Sequence, residues 1–230
     1  MKRAERAIAL IKAFERVYPE AHCELDFRTP LQLLVATILS AQCTDKRVNM
    51  VTPVLFKKYK TAADFARAET PAMESEIRST GFFRSKTRSI RAAAADIVNK
   101  HGGEVPATMN ELTALAGVGR KTANVVLGNA FGKNEGVVVD THVARLSNRL
   151  RLTRHVNPEK IENDLMKIIP RDRWTIFSHW LIWHGRRRCY ARKPDCAGCE
   201  VNRLCPSAFK IPGTQPVADG KSATGFASAS

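Results

Sequence analysis

The sequence predicts an all-α protein. Helix-capping pairs recur along its length, apolar residues repeat at helical spacing, and strand signals are almost absent. Val137-Val138-Val139 is the best β-branched run, but it is too short for a strand and has no evident partner. At 230 residues the chain is long enough for one large domain or two small ones around a substantial apolar core.

The elements run in order. Ala7, Ile8, Ile11 and Phe14 form a helical stripe in the N-terminal segment. Glu5, Arg6 and Lys12 interrupt it, so it does not read as a signal peptide. Thr29-Pro30 reads as an N-cap with proline at the first helical position, ahead of LQLLVATILSAQ. Thr44 starts a helix carrying Val48, Val51, Leu55 and Phe56. Thr61 caps a short helix, and Thr70-Pro71 caps the next, which Gly81 ends. A helix through Ile90 and Ile97 runs to His101-Gly102-Gly103. Thr108 opens a brief helix, a glycine turn comes next, and Lys121 to Phe131 form another helix. Asp140, Pro158 and Asp172 mark three later helix starts. The last segment, 212–230, is small and polar with little to bury, and is expected to be a disordered tail.

Charge points to a partner. Lys plus Arg number 37 against 22 Asp plus Glu, a formal charge of +15. That balance favours a polyanion, most simply nucleic acid. No apolar run approaches the ~20 residues of a membrane span, so a soluble, intracellular protein is expected.

Three motifs carry chemistry. Leu115-x-Gly117-Val118-Gly119 between two helices suits a tight hairpin. Its outward N–H groups, at a helix N-terminus, would hold a phosphate whatever the base sequence. Leu115 and Val118 would pack the helices together. Lys121 comes just after the turn. Adjacent Arg120, the positive end of the helix and burial in a pocket each favour a free amine, which can attack a carbon to form a Schiff base. A lysine that merely contacts phosphate fits the residues equally well. Asp140, ahead of Thr141-His142-Val143, reads as an N-cap. Buried near Lys121, it could take a proton or stabilise an oxocarbenium-like centre.

The third motif is C-x6-C-x2-C-x5-C, formed by Cys189, Cys196, Cys199 and Cys205. Four thiolates within 17 residues enclose either a [4Fe–4S] cube or one zinc ion, and the spacing does not choose. Arg186, Arg187, Arg188, Arg192 and Lys193 make this knot basic, as a phosphate-holding loop would be. Cys23 and Cys43 read as small apolar core residues.

With these features in place, residues 5 to 210 or so resemble the endonuclease III family, the iron–sulfur branch of the helix-hairpin-helix DNA glycosylases. LSAQCTDKRVN, the hairpin with Lys121, VDTHVARLSNRL, HGRRRC and the cysteine spacing match in order. The resemblance implies two helical lobes flanking a DNA-binding cleft. A six-helix barrel would span 22–131, with the hairpin at about 108–131. Residues 1–21 and 132–211 would form a [4Fe–4S] cluster lobe held by the four cysteines.

The resemblance also implies a bifunctional glycosylase and abasic-site lyase acting on oxidised pyrimidines. Lys121 matches the nucleophile and Asp140 the catalytic carboxylate. Gly117, Gly119, Arg187, Arg192 and Lys193 would grip the backbone of duplex DNA carrying damaged bases or abasic sites. Gln42 and Phe82 would fill the gap left by a flipped base, Phe82 standing where the family commonly has leucine. Ala144 stands where many relatives carry a larger side chain. A cytoplasmic, nucleoid-associated monomer is implied. A monofunctional mismatch glycosylase fits less well, because that branch usually lacks the lysine. A non-catalytic DNA-binding protein would not require Lys121 and Asp140 together.

Overall fold

A computed structural model describes residues 1–211; the expected tail at 212–230 lies outside the described residues. Among these residues there are eleven α-helices and no strand: α1 (Arg3–Val17), α2 (Pro30–Ser40), α3 (Asp45–Lys58), α4 (Ala62–Arg67), α5 (Thr70–Glu76), α6 (Phe83–His101), α7 (Met109–Thr113), α8 (Arg120–Ala130), α9 (Thr141–Arg149), α10 (Pro158–Met166) and α11 (Trp174–Arg187). None of them is long and apolar enough to cross a membrane.

Short-range capping fixes many of these boundaries. Thr29, Thr44, Thr61 and Thr108 each accept a hydrogen bond from the backbone N–H three residues on, satisfying one of the donors left free at a helix start. Three expectations shift. Glu69, not Thr70, is the N-cap of α5, because helix φ and ψ already begin at Thr70. Asp172 lies in a 3-10 turn, Arg171–Arg173, and α11 begins only at Trp174. On α1, Ile8 is exposed and Leu10 takes its place beside Ala7, Ile11 and Phe14. Positions 7, 10, 11 and 14 share one face at 3.6 residues per turn, and position 8 turns away from it.

Two apolar cores organise the helices. One runs from Leu25 to Leu127 and is built by α2 to α8. The other joins Ala7 to Ala21 with Val137 to Val201, drawing on α1 and α9 to α11. Cys23 and Cys43 are only partly buried against the first core. Val137-Val138-Val139 is a buried, extended connector between the lobes. Val138 N–H donates to Ser178 Oγ at 3.0 Å, so α11 supplies the partner that a neighbouring strand would have given.

The glycine turn forms as expected, but its two glycines differ. Gly117 has φ +74°, while Gly119 is the N-cap of α8 with an ordinary φ of −88°. A Cβ at Gly117 would lie 2.6 Å from Ser89 Oγ on α6. Leu115 and Val118 are buried in the first core and pack the hairpin as anticipated. Gly117→Ala therefore meets both a left-handed backbone and a side-chain clash. It should destabilise the protein by about 2 kcal/mol, read as a lower denaturation midpoint with an unchanged slope.

Candidate active site

The second core and the hairpin bring two helix N-termini to one cavity. Lys121 is the second residue of α8. Asp140 is the N-cap of α9, and its Oδ1 accepts from Val143 N–H at 2.7 Å. Both residues line a cavity of about 310 Å3 together with Gln42, Thr122, Ser178 and His179. The positive ends of two helices thus face a space where an anion would be stabilised.

The electrostatics differ from the sequence expectation in two ways. Lys121 is exposed and Asp140 only partly buried, because α8 turns Ala123, Asn124, Val126 and Leu127 inward and leaves position 121 on the cavity side. Arg120, expected to bear on Lys121, instead donates two hydrogen bonds to Glu162 of α10, both at 3.0 Å.

Several cavity residues have no short-range signature in the sequence. Arg186 bridges the lobes, pairing with Glu24 and, at 2.8 Å, with Asp45 Oδ2. His179 Nε2 meets Asn129 Oδ1 at 2.7 Å. Burial pushes the His179 imidazole down from 6.5 to about 4. The native ring stays neutral while the unfolded one takes up a proton near 6.5, so the unfolded state binds more protons between these values. Stability should accordingly be full above about pH 6.5 and fall progressively toward pH 4. His179→Gln, which keeps an amide to face Asn129, should flatten that part of the pH–stability curve.

Gln42 and Phe82 lie close by. Both are exposed and both have left-handed backbones, φ +52° and +47°. Neither is a glycine, so each stores local strain of about 1–3 kcal/mol. Phe82 is 64% exposed. Gln42 and Phe82 share a second cavity, of about 270 Å3, with Gly117. Ala144 packs against the second core and lines neither cavity.

Of the basic residues singled out, Arg187 is engaged within the protein. It donates to Glu24 Oε1 at 3.1 Å and stacks on the Trp183 ring at 3.9 Å. Arg192 and Lys193 are exposed on the cysteine loop, and no ion pair to either occurs among the described residues.

The four cysteines line one apolar cavity with Leu146, Leu150, Val201 and Ala208. No three metal-ligating side chains converge as they would on a single ion among the described residues. Burial pushes the Cys199 thiol up to about 12 and raises that of Cys205, so these groups need a strongly positive partner to become thiolates. Arg149 Nη1 lies 3.1 Å from Cys189 Sγ, and His184 Nε2 lies 3.4 Å from Cys199 Sγ. Thiol donors in an apolar shell, with the Arg149 guanidinium donating to one sulfur, suit a thiolate-bound metal group.

Comparison with known proteins extends this geometry. Residues 35–171 match the HhH-GPD superfamily of base excision DNA repair proteins. Endonuclease III of Synechocystis sp. is 54% identical over 206 residues, covering 90% of this chain and 94% of its own. A non-covalent endonuclease III–DNA complex superposes with a TM-score of 0.86 at 43% identity, covering 91% of this chain and 98% of that one. A trapped covalent endonuclease III–DNA intermediate does so equally, at 0.86 and 43%, covering 91% and 99%.

Proposed function

The chain belongs to the endonuclease III family of the HhH-GPD superfamily, and on that footing we propose that Lys121 is its Schiff-base nucleophile and Asp140 the carboxylate that assists it. The activity is that of a bifunctional DNA glycosylase and abasic-site lyase in base excision repair. The observation that carries the residue assignment is the shared cavity, where an amine at the start of α8 and a carboxylate at the start of α9 face one space.

The damaged nucleotide, an oxidised pyrimidine on this reading, flips from the stack into this cavity. Lys121 Nζ forms a bond to C1′ as the glycosidic bond breaks, and the base leaves with the bonding electrons. Asp140 accepts the proton that the attacking amine sheds and steadies the positive charge developing on the sugar. Ring opening gives the imine between Lys121 and C1′. Loss of a C2′ proton then expels the 3′ phosphate, which cuts the strand 3′ to the lesion. Gln42 and Phe82 enter the helix where the base has left. Gly117, Gly119, Arg192 and Lys193, with Arg187 once released from Glu24, hold backbone phosphates. The enzyme works as a monomer on duplex DNA carrying damaged bases or abasic sites, in the cytoplasm and nucleoid.

Cys189, Cys196, Cys199 and Cys205 would hold a [4Fe–4S] cluster. Four thiols lining one apolar cavity support a thiolate-held metal group, and the choice of an iron–sulfur cluster over zinc rests on membership of the endonuclease III family. A cluster held there would fix the C-terminal loop, with Arg192 and Lys193, against the α9 residues Leu146 and Arg149 that line the same cavity. The two apolar cores support lobes of 22–131, with the hairpin at about 108–131, and of 1–21 joined to 132–211. Borohydride reduction of the protein bound to an abasic-site duplex tests the mechanism. A stable protein–DNA adduct is expected, and its absence from folded, DNA-binding protein would overturn it.

A further inference from the structure

Lys86 is a buried cation without a carboxylate. It is 4% exposed on α6, and no ion pair to it occurs among the described residues. Its Nζ donates to Leu39 O and to Thr80 O, each at 2.8 Å. Leu39 O is one of the C-terminal carbonyls of α2, and Thr80 O closes the 3-10 turn Arg78–Thr80. Such carbonyls lack partners within their own helix and carry the negative end of its dipole. One ammonium therefore ties together the ends of two elements.

Each of these ends leads directly into a strained residue. Gln42 comes three residues after Leu39, and Phe82 comes two residues after Thr80. These are the two exposed, left-handed residues that share a cavity with Lys86 and Gly117. A strained backbone persists only where its surroundings over-determine it. From Phe82 onward the chain is α6, whose first-turn bond, Lys86 N–H to Phe82 O, measures 3.0 Å. Lys86 thus fixes the Phe82 turn from both sides and the Gln42 turn from below. Burial lowers its basicity, partly offset by Cys43 next to Gln42; two carbonyl acceptors still match an ammonium with three donors.

We propose that Lys86 is a positioning residue that sets the spacing of Gln42 and Phe82 and so pre-forms the double wedge that enters duplex DNA when a nucleotide is extruded. It touches neither DNA nor the reacting sugar. The inference rests on the assignment of Gln42 and Phe82 as wedge residues under the proposed function. A misplacement of about 1 Å at such a pair costs on the order of 100-fold in rate.

A single strand has no gap to fill, so the wedge is needed only on duplex. The test compares borohydride trapping on an abasic-site duplex and on the same strand alone, for the cluster-containing full chain and for Lys86→Met and Lys86→Gln. Lys86→Met should slow trapping on duplex by about 10- to 100-fold and leave the single-strand rate close to that of the parent. Lys86→Gln keeps two N–H donors and should lose less, again on duplex only; it carries the test if Lys86→Met does not fold. Equal slowing on both substrates would mark a merely structural lysine, and no slowing on either would remove the role. Should the parent trap neither substrate, Lys121 as nucleophile is overturned, and Lys86 is decided separately. In a Lys121→Ala background, 2-aminopurine placed opposite the abasic site reports wedge entry as a fluorescence change, which the Lys86 variants should diminish and which, if undiminished, overturns the proposal.

Discussion

Lys121→Ala is expected to abolish borohydride trapping on an abasic-site duplex and to lower strand cleavage by at least about 1,000-fold, with DNA affinity and fold retained. The side chain is exposed, so its removal leaves no cavity in a core. Alanine is also the best helix former for the first turn of α8. A stability change within about 0.5 kcal/mol is therefore expected, and lost activity reports lost chemistry. Lys121→Arg makes the result sharper. A lysine that only holds phosphate could be replaced by arginine, which keeps the charge. A guanidinium is always protonated and is no Schiff-base nucleophile, so this variant should bind DNA and still fail to trap. Trapping by the arginine variant would return Lys121 to a phosphate ligand and point to another amine.

Much of the fold is legible in the sequence because its determinants are local. Thr29, Thr44, Thr61 and Thr108 each bond a backbone N–H three residues away, and a three-residue relation is visible in any window of sequence. The hairpin is legible for the same reason, although only Gly117 needs a left-handed backbone. Lys121 and Asp140 can be named singly; that they line one cavity depends on how Val137-Val138-Val139 threads between the cores. Lys86 escapes notice although a signal exists. It shares the spacing of Ile90, Ala93 and Ile97 on the buried face of α6, and a lysine on such a stripe requires buried acceptors. Those acceptors, Leu39 O and Thr80 O, belong to other elements, and Leu39 O lies 47 positions away in the chain. Arg187 looks free in the sequence because Glu24, its partner, is 163 positions distant.

The largest stability effect should come from a pair that sequence does not connect. Glu162 is 6% exposed and accepts both bonds of the Arg120 fork, plus one from Asn124 Nδ2 at 2.9 Å. Gly136 runs directly over this group, and a Cβ there would collide with Glu162 Oε1. The carboxylate thus joins α8, α10 and the connector that leads to Asp140. Glu162→Ala would leave Asn124 without its acceptor and Arg120 half-buried without a counter-charge. Arg120 keeps 43% of its side chain exposed, so solvent screens its stranded charge; most of an expected loss of about 3 kcal/mol comes from the buried Asn124 amide left without its acceptor. For a chain of this size that is a Tm lower by about 6–12 °C. Arg120→Ala in the same chain removes the stranded charge, so the double variant should be more stable than the sum of the single losses. Lys121 neighbours Arg120, so the loosened start of α8 should also slow trapping more than it weakens DNA binding. Additive losses, or a Glu162→Ala protein that melts and traps like the parent, would show that Arg120 is not held by α10. The orientation of the nucleophile would then need another support.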